Sequence, residues 1–283
     1  MKRGVLIQVL VNACLAVLAA ASEPDMKARD SAMATLRDAN ASLEAVERAI
    51  AALGTNVDSN GVAVLTERAV SDGNVFVRRK AFGRLIEHWK AGRSEESSCL
   101  EVFRAAGRDA DGQIRAMACQ ALLKRPNEKA VQEVMEVLAR EFAKKPGERG
   151  EPKNIRLPKA WAPDTVISAC MEGMRGLSAP AVRVVEERFA SAAGDLKYAL
   201  AHVLCGSGKA PDSMILAEGV GKTTSKHVKV LLLYDLAAIK DERVRGVLEE
   251  ALKDETAVEG KEGDVIYPVR LAAQRALDVL KKK

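Results

Sequence analysis

The chain has 283 residues, of which 48% are hydrophobic but only 4% aromatic, and 44 Lys and Arg stand against 39 Asp and Glu for a net charge of +5. So mild an excess does not point to a polyanionic partner. Five cysteines with no CxxC pair exclude the usual zinc frameworks.

The chain opens on Met1-Lys2-Arg3, followed by an apolar run from Val5 to Ala21 broken only by Gln8 and Asn12. Ala19-Ala20-Ala21 supplies the small residues of a cleavage site, with polar Ser22-Glu23-Pro24-Asp25 behind it. This pattern predicts a signal peptide over 1–21 and an exported (periplasmic or extracellular) protein, whose charge would fall by two to +3 on losing Lys2 and Arg3. The alternatives are a retained anchor helix, for which the run is short against about 20 apolar residues, and a lipid on Cys14. Residues 22–40 read as a polar linker or a fraying first helix.

From 41 to 283 the periodicity predicts paired helices. Leu43 to Leu53, with Gly54 as its stop, pairs with Gly61 to Val70. Asn74 to Trp89 pairs with Ser94 to Ala106, and Gln113 to Lys124 with Asn127 to Phe142. A loop at 144–163 interrupts the pattern: it holds four prolines and cannot be helical. Helices resume at Asp164 to Arg175, Pro180 to Ala192, Leu196 to Leu204, Asp212 to Val220, Val228 to Ile239 and Glu242 to Lys253. An acidic loop from Asp254 to Asp264 precedes the last helix, Tyr267 to Leu280.

One frame recurs through these segments: an apolar residue, a basic anchor, a small residue three later and an apolar residue seven later. Val77-Arg78, Ala81 and Leu85 show it, as do Ile114-Arg115, Ala118 and Leu122, and Val269-Arg270, Ala273 and Leu277. Lys197 and Lys229 anchor weaker copies, while Val46 and Ile167 stand at the anchor of two more. Positions −1, +3 and +7 share one helix face, and the small residue lets a neighbouring helix come close. Each unit is helix, turn, helix, and buries its apolar face only by stacking on its neighbours.

With Asp72 before Val77-Arg78, Asp109 and Asp111 before Ile114-Arg115, and Asp264 before Val269-Arg270, the chain resembles the HEAT-repeat family, in particular the phycobilisome-lyase-type HEAT-like repeats. The resemblance implies an all-α fold, a right-handed α-α superhelix of about seven helical-hairpin repeats, with aspartate and arginine of adjacent units forming a polar ladder. It is informative about fold and poor about function, because the family hosts scaffolds and enzymes alike.

The remaining motifs are weak. Gly219-Val220-Gly221-Lys222-Thr223-Thr224 is similar to a phosphate loop, but Leu216 stands where the first glycine belongs and no strand precedes it. His88, His202 and His227 fall in separate repeats, which argues against convergence on a metal. Of Cys99, Cys119, Cys170 and Cys205, most read as small core residues; Cys99–Cys119, on consecutive helices, is the pair best placed to bond. Ser94 to Ala106 carries three acids and one base, and Asn127 to Phe142 four and two, so the face expected to grip DNA is neutral to acidic and a nucleic-acid partner is not expected.

No catalytic, cofactor-binding or metal-binding set is assigned. The expectation is a non-catalytic scaffold that binds a protein partner. Its candidate contact is the basic loop, with Lys153, Arg156, Lys159 and Trp161. The alternatives are a lyase-like enzyme of the same repeat class acting on a bound cofactor, marked by a concave pocket with convergent acids or a reactive Cys, and a structural envelope component.

Overall fold

Short polar residues start the helices. In the computed structural model, the side chains of Ser42, Asp58, Asn74, Asp111, Asn127, Asp212 and Ser225 each accept a hydrogen bond from a main-chain N–H in the first turn of the helix they precede. Each satisfies a donor that the helix cannot pair internally. The structure describes residues 27–38, 40–53, 57–91, 96–145, 148–149, 166–259 and 264–281. The expected leader at 1–21, most of the loop at 144–163 and the stop at Gly54 lie outside them.

The chain packs as two compact units, divided between Val102 and Phe103. The first contains α1 (27–37), α2 (Leu43–Ala52), α3 (Ser59–Ser71), α4 (Val75–Lys90) and the start of α5 (Glu96–Ala106). Helix α4 packs on both α2 and α3. Its core sets Leu36, Val46, Ile50 and Leu65 against Val77, Ala81, Phe82 and Leu85, so the repeat frame of Arg78 points inward as expected.

The second unit contains α6 (Gly112–Leu122), α7 (Glu128–Ala143), α8 (Val166–Gly173), α9 (Ala179–Ser191), α10 (Gly194–Gly206), α11 (Ser213–Lys222), α12 (Lys226–Ile239), α13 (Arg245–Ala251) and α14 (Pro268–Lys281). Helix α6 packs on α7 and α8, and α12 on α10, α11 and α14. Helix α12, which reads as apolar nearly all round, is a central buried helix whose Val228, Val230, Leu232, Leu233 and Leu236 are all in the core. The described residues are all-α apart from one ribbon.

That ribbon corrects the acidic-loop expectation. Val258–Glu259 (β1), within the expected loop Asp254 to Asp264, pairs antiparallel with Val265–Ile266 (β2), which lies between that loop and the last helix. The segment expected as one helix from Glu242 begins instead as a single tight 3-10 turn, Glu242–Val244, before α13. The glycine-rich stretch at 219–222 is the last turn of α11, not a phosphate loop, and Lys222 is bonded to Glu218 at 2.7 Å. Gly219 is there for closeness: a Cβ would lie 2.6 Å from Leu232 and 2.7 Å from Tyr198.

The repeat's basic anchors clasp the preceding turns. Arg78 Nη1 donates to the Asp72 carbonyl at 2.9 Å, and Arg115 Nη1 to the Asp109 and Ala110 carbonyls at 2.8 Å. Arg270 Nε does the same to the Asp254 carbonyl at 2.6 Å. Each supplies a charged donor to a carbonyl that a turn leaves unpaired. These bonds run to the main chain of the turn before each arginine, and Arg270 reaches Asp254 where the resemblance pointed to Asp264.

The expected Cys99–Cys119 pairing meets a different neighbour. Because α6 packs on α8, Cys119 faces Cys170, with Sγ–Sγ 3.3 Å. Both are buried free thiols. The Cys99 side chain is outside the described ones.

Candidate functional site

Helix α12 carries His227, Leu231, Asp235 and Ala238, spaced so that they share one stripe of the helix. Ser168, Met171 and Glu172 come from α8, with Arg175 just beyond it, and His202 from α10. With Tyr234, these side chains line a cavity of about 350 Å³ within the second unit. That volume lies at the small end of ligand sites. Met171, Leu231 and Ala238 give it an apolar wall; the rest is polar.

Its chemistry centres on His202 and Asp235, whose Nδ1 and Oδ2 are 2.7 Å apart. A carboxylate only accepts, so Nδ1 carries the proton of this bond, and whenever the ring is neutral Nε2 is the nitrogen left with a lone pair. Burial raises the Asp235 carboxyl above its ordinary range, while the hydrogen bond and charge of His202 and the guanidinium of Arg175 pull it back. His227 is 1% exposed; burial first, then the neighbouring His202, push its pKa down to about 3. It is a neutral imidazole at any physiological pH.

Ser168 is also 1% exposed, and its hydroxyl has no hydrogen-bond partner among the described residues. A buried hydroxyl left so costs on the order of 1–3 kcal/mol. The set therefore offers a buried hydroxyl, a proton-accepting Nε2 held by a carboxylate, and a cation at one edge. It can hold a small molecule by hydrogen bonds or take a proton from one. Cys205 is no nucleophile here: burial and the Asp235 charge push its thiol up to about 12.

His202 and His227, although they stand on the helices of separate repeats, line one cavity. Among the described residues, however, no group of three or more His, Cys, Asp or Glu is placed to hold a metal ion. The one available signal was Asp235, the single carboxylate on α12. A larger cleft, about 630 Å³, runs along α11, α12 and α13. Its lysines pair with carboxylates in or beside it, Lys222 with Glu218, Lys253 with Glu250 and Lys229 with Asp254.

The expected partner contact, Lys153, Arg156, Lys159 and Trp161, lies outside the described residues. The stem of its loop does not. Lys144 bonds to the buried Glu141 at 2.6 Å, and Glu141 also accepts from Arg115 at 2.8 Å. Arg149 donates to the Phe142 and Lys144 carbonyls and to Asp195 Oδ2 at 2.8 Å. Asp195 further accepts from the hydroxyls of Thr223 and Thr224 at 2.7 and 2.6 Å and from the Thr224 N–H at 3.0 Å. Burial opposes the charge of Asp195, but these bonds together hold its carboxyl below the ordinary range.

Among the described residues no helix is long and apolar enough to cross a membrane. No family model matches the sequence, and neither does any curated protein. Among solved structures, human deoxyhypusine hydroxylase in complex with glycerol is 15% identical, with a TM-score of 0.34, over 93% of this chain and 99% of that one. The complex of CpcE and CpcF of phycocyanin lyase from Nostoc sp. PCC7120 is 15% identical, with a TM-score of 0.39, over 89% of this chain and 94% of that one. Likenesses this distant carry no argument about what the chain does.

Proposed function

We propose that this chain is a HEAT-like helical-repeat binding module that takes a small ligand in the cavity of its second unit. The observation behind this reading is the buried hydroxyl of Ser168, without a hydrogen-bond partner among the described residues, in the cavity of the His202–Asp235 pair. The ligand is compact and partly apolar. It bears a hydroxyl or amine that donates to His202 Nε2 and an acceptor for Ser168. Native mass spectrometry of the purified full chain tests this, together with Ser168→Val and His202→Phe variants. The expected result is a bound small molecule on the unaltered protein, lost from both variants while their circular dichroism is retained. Retention of the same molecule by both variants overturns the site.

A second reading follows from the anchored loop stem. Arg149, held by main-chain carbonyls and Asp195, fixes where the basic loop leaves the unit, which suits a loop that presents Lys153, Arg156, Lys159 and Trp161 to an exported protein partner. A pull-down from envelope and secreted fractions separates the two readings. A partner lost only when those four residues become alanine supports the loop.

A further inference from the structure

We propose that Cys119 and Cys170 are the sites of a structural disulfide that bolts α6 to α8 across the basic insertion. Their sulfurs are already 3.3 Å apart on two helices packed face to face. A disulfide bond is about 2.05 Å long, so closure needs an approach of about 1.3 Å. Rotation about the two Cα–Cβ bonds and a small helix shift can supply it. Both side chains are fully buried, at 0% exposed, and each occupies the inner face of its repeat helix. The pair is thus positioned by the same frame that builds the core, since Cys170 takes the small-residue place three after the anchor.

The oxidant is a small-molecule disulfide of the glutathione class. A cysteine thiolate attacks one of its sulfurs and expels a thiolate, leaving a mixed disulfide on the chain. The second cysteine then attacks the protein sulfur of that mixed disulfide, expelling the other thiol. The chain loses two hydrogens, and the oxidant is reduced to two thiols. Burial raises the Cys170 thiol well above its ordinary range, and the neighbouring Cys119 and Glu141 add to this. In the packed, reduced protein both sulfurs are shut away from the oxidant, so the bond forms while the chain is still folding. Once closed, the same packing shields it from reductants.

The test is to refold the full chain in a mixture of reduced and oxidised glutathione, block free thiols under denaturing conditions, and map peptides without reduction. The expected result is a peptide linked through Cys119 and Cys170, with a lower yield when the oxidant is added only after folding is complete. The oxidised protein should also unfold at a higher urea concentration than the same protein after reduction. Blocking reagent on both Cys119 and Cys170 after oxidative refolding overturns the proposal, as does linkage of either one to Cys99 or Cys205.

Discussion

Two half-buried carboxylates in the second unit, Asp195 on α10 and Asp235 on α12, have opposite fates. Asp195 accepts from two threonine hydroxyls, a main-chain N–H and Arg149, and its carboxyl is held below the ordinary range. Asp235 accepts from His202 and borders the cavity, and its carboxyl is raised. A carboxylate with its lone pairs filled is a structural knot: charge, burial and geometry agree. One held short of that, with open space beside it, keeps some of its cost of burial unanswered. A ligand or a proton can answer it.

The sharpest way to break this contrast is pH. His227, which lines the same cavity as Asp235, takes a proton in the unfolded chain near pH 6.5 but in the folded one only near 3. The unfolded state therefore binds more protons between those values, and stability falls as the pH drops. At about 1.4 kcal/mol per unit the loss approaches about 5 kcal/mol over the window. His227→Leu should flatten the pH dependence of the urea midpoint there. An unchanged slope would remove His227 from the buried, neutral state described.

Next in size is Asp195→Ala, which removes an acceptor shared by Arg149 and two threonines and should cost about 3 kcal/mol at neutral pH in urea unfolding. Because its native carboxyl lies below the unfolded value of 3.8, the stability it contributes is present above that pH and is lost as the pH falls through the native value. Gly219→Ala pushes a methyl from α11 at Tyr198 of α10 and Leu232 of α12, and should cost about 2 kcal/mol. Asp235→Asn should be the mildest, within about 1 kcal/mol, because the amide oxygen still accepts from His202 and the raised carboxyl was costly to ionise. Equal losses at Asp195 and Asp235 would erase the distinction between knot and site.

The repeat was legible because it is local. Val77, Ala81 and Leu85 announce a buried stripe by spacing alone. The cavity was not, because Ser168, His202 and Asp235 come from three helices and meet only after packing. The cysteines show the same limit. Sequence adjacency favours Cys99 for Cys119, whereas α6 lies on α8 and brings Cys170 instead. The β1–β2 ribbon is two residues a side, too short for an alternating pattern to stand out from an acidic loop.

The clasp made by Arg270 has a consequence for how the chain tolerates growth. Arg78 and Arg115 reach carbonyls six residues back, but Arg270 closes on Asp254 across sixteen. The same bond is made although the intervening segment is much longer. Loop-closure entropy rises only with the logarithm of length, about 0.6 kcal/mol per doubling. A junction pinned at its base by an arginine can therefore lengthen without loosening the helices on either side. Extra segments could be accepted at these turns with the stack left intact, and the α13–α14 ribbon is one that has been.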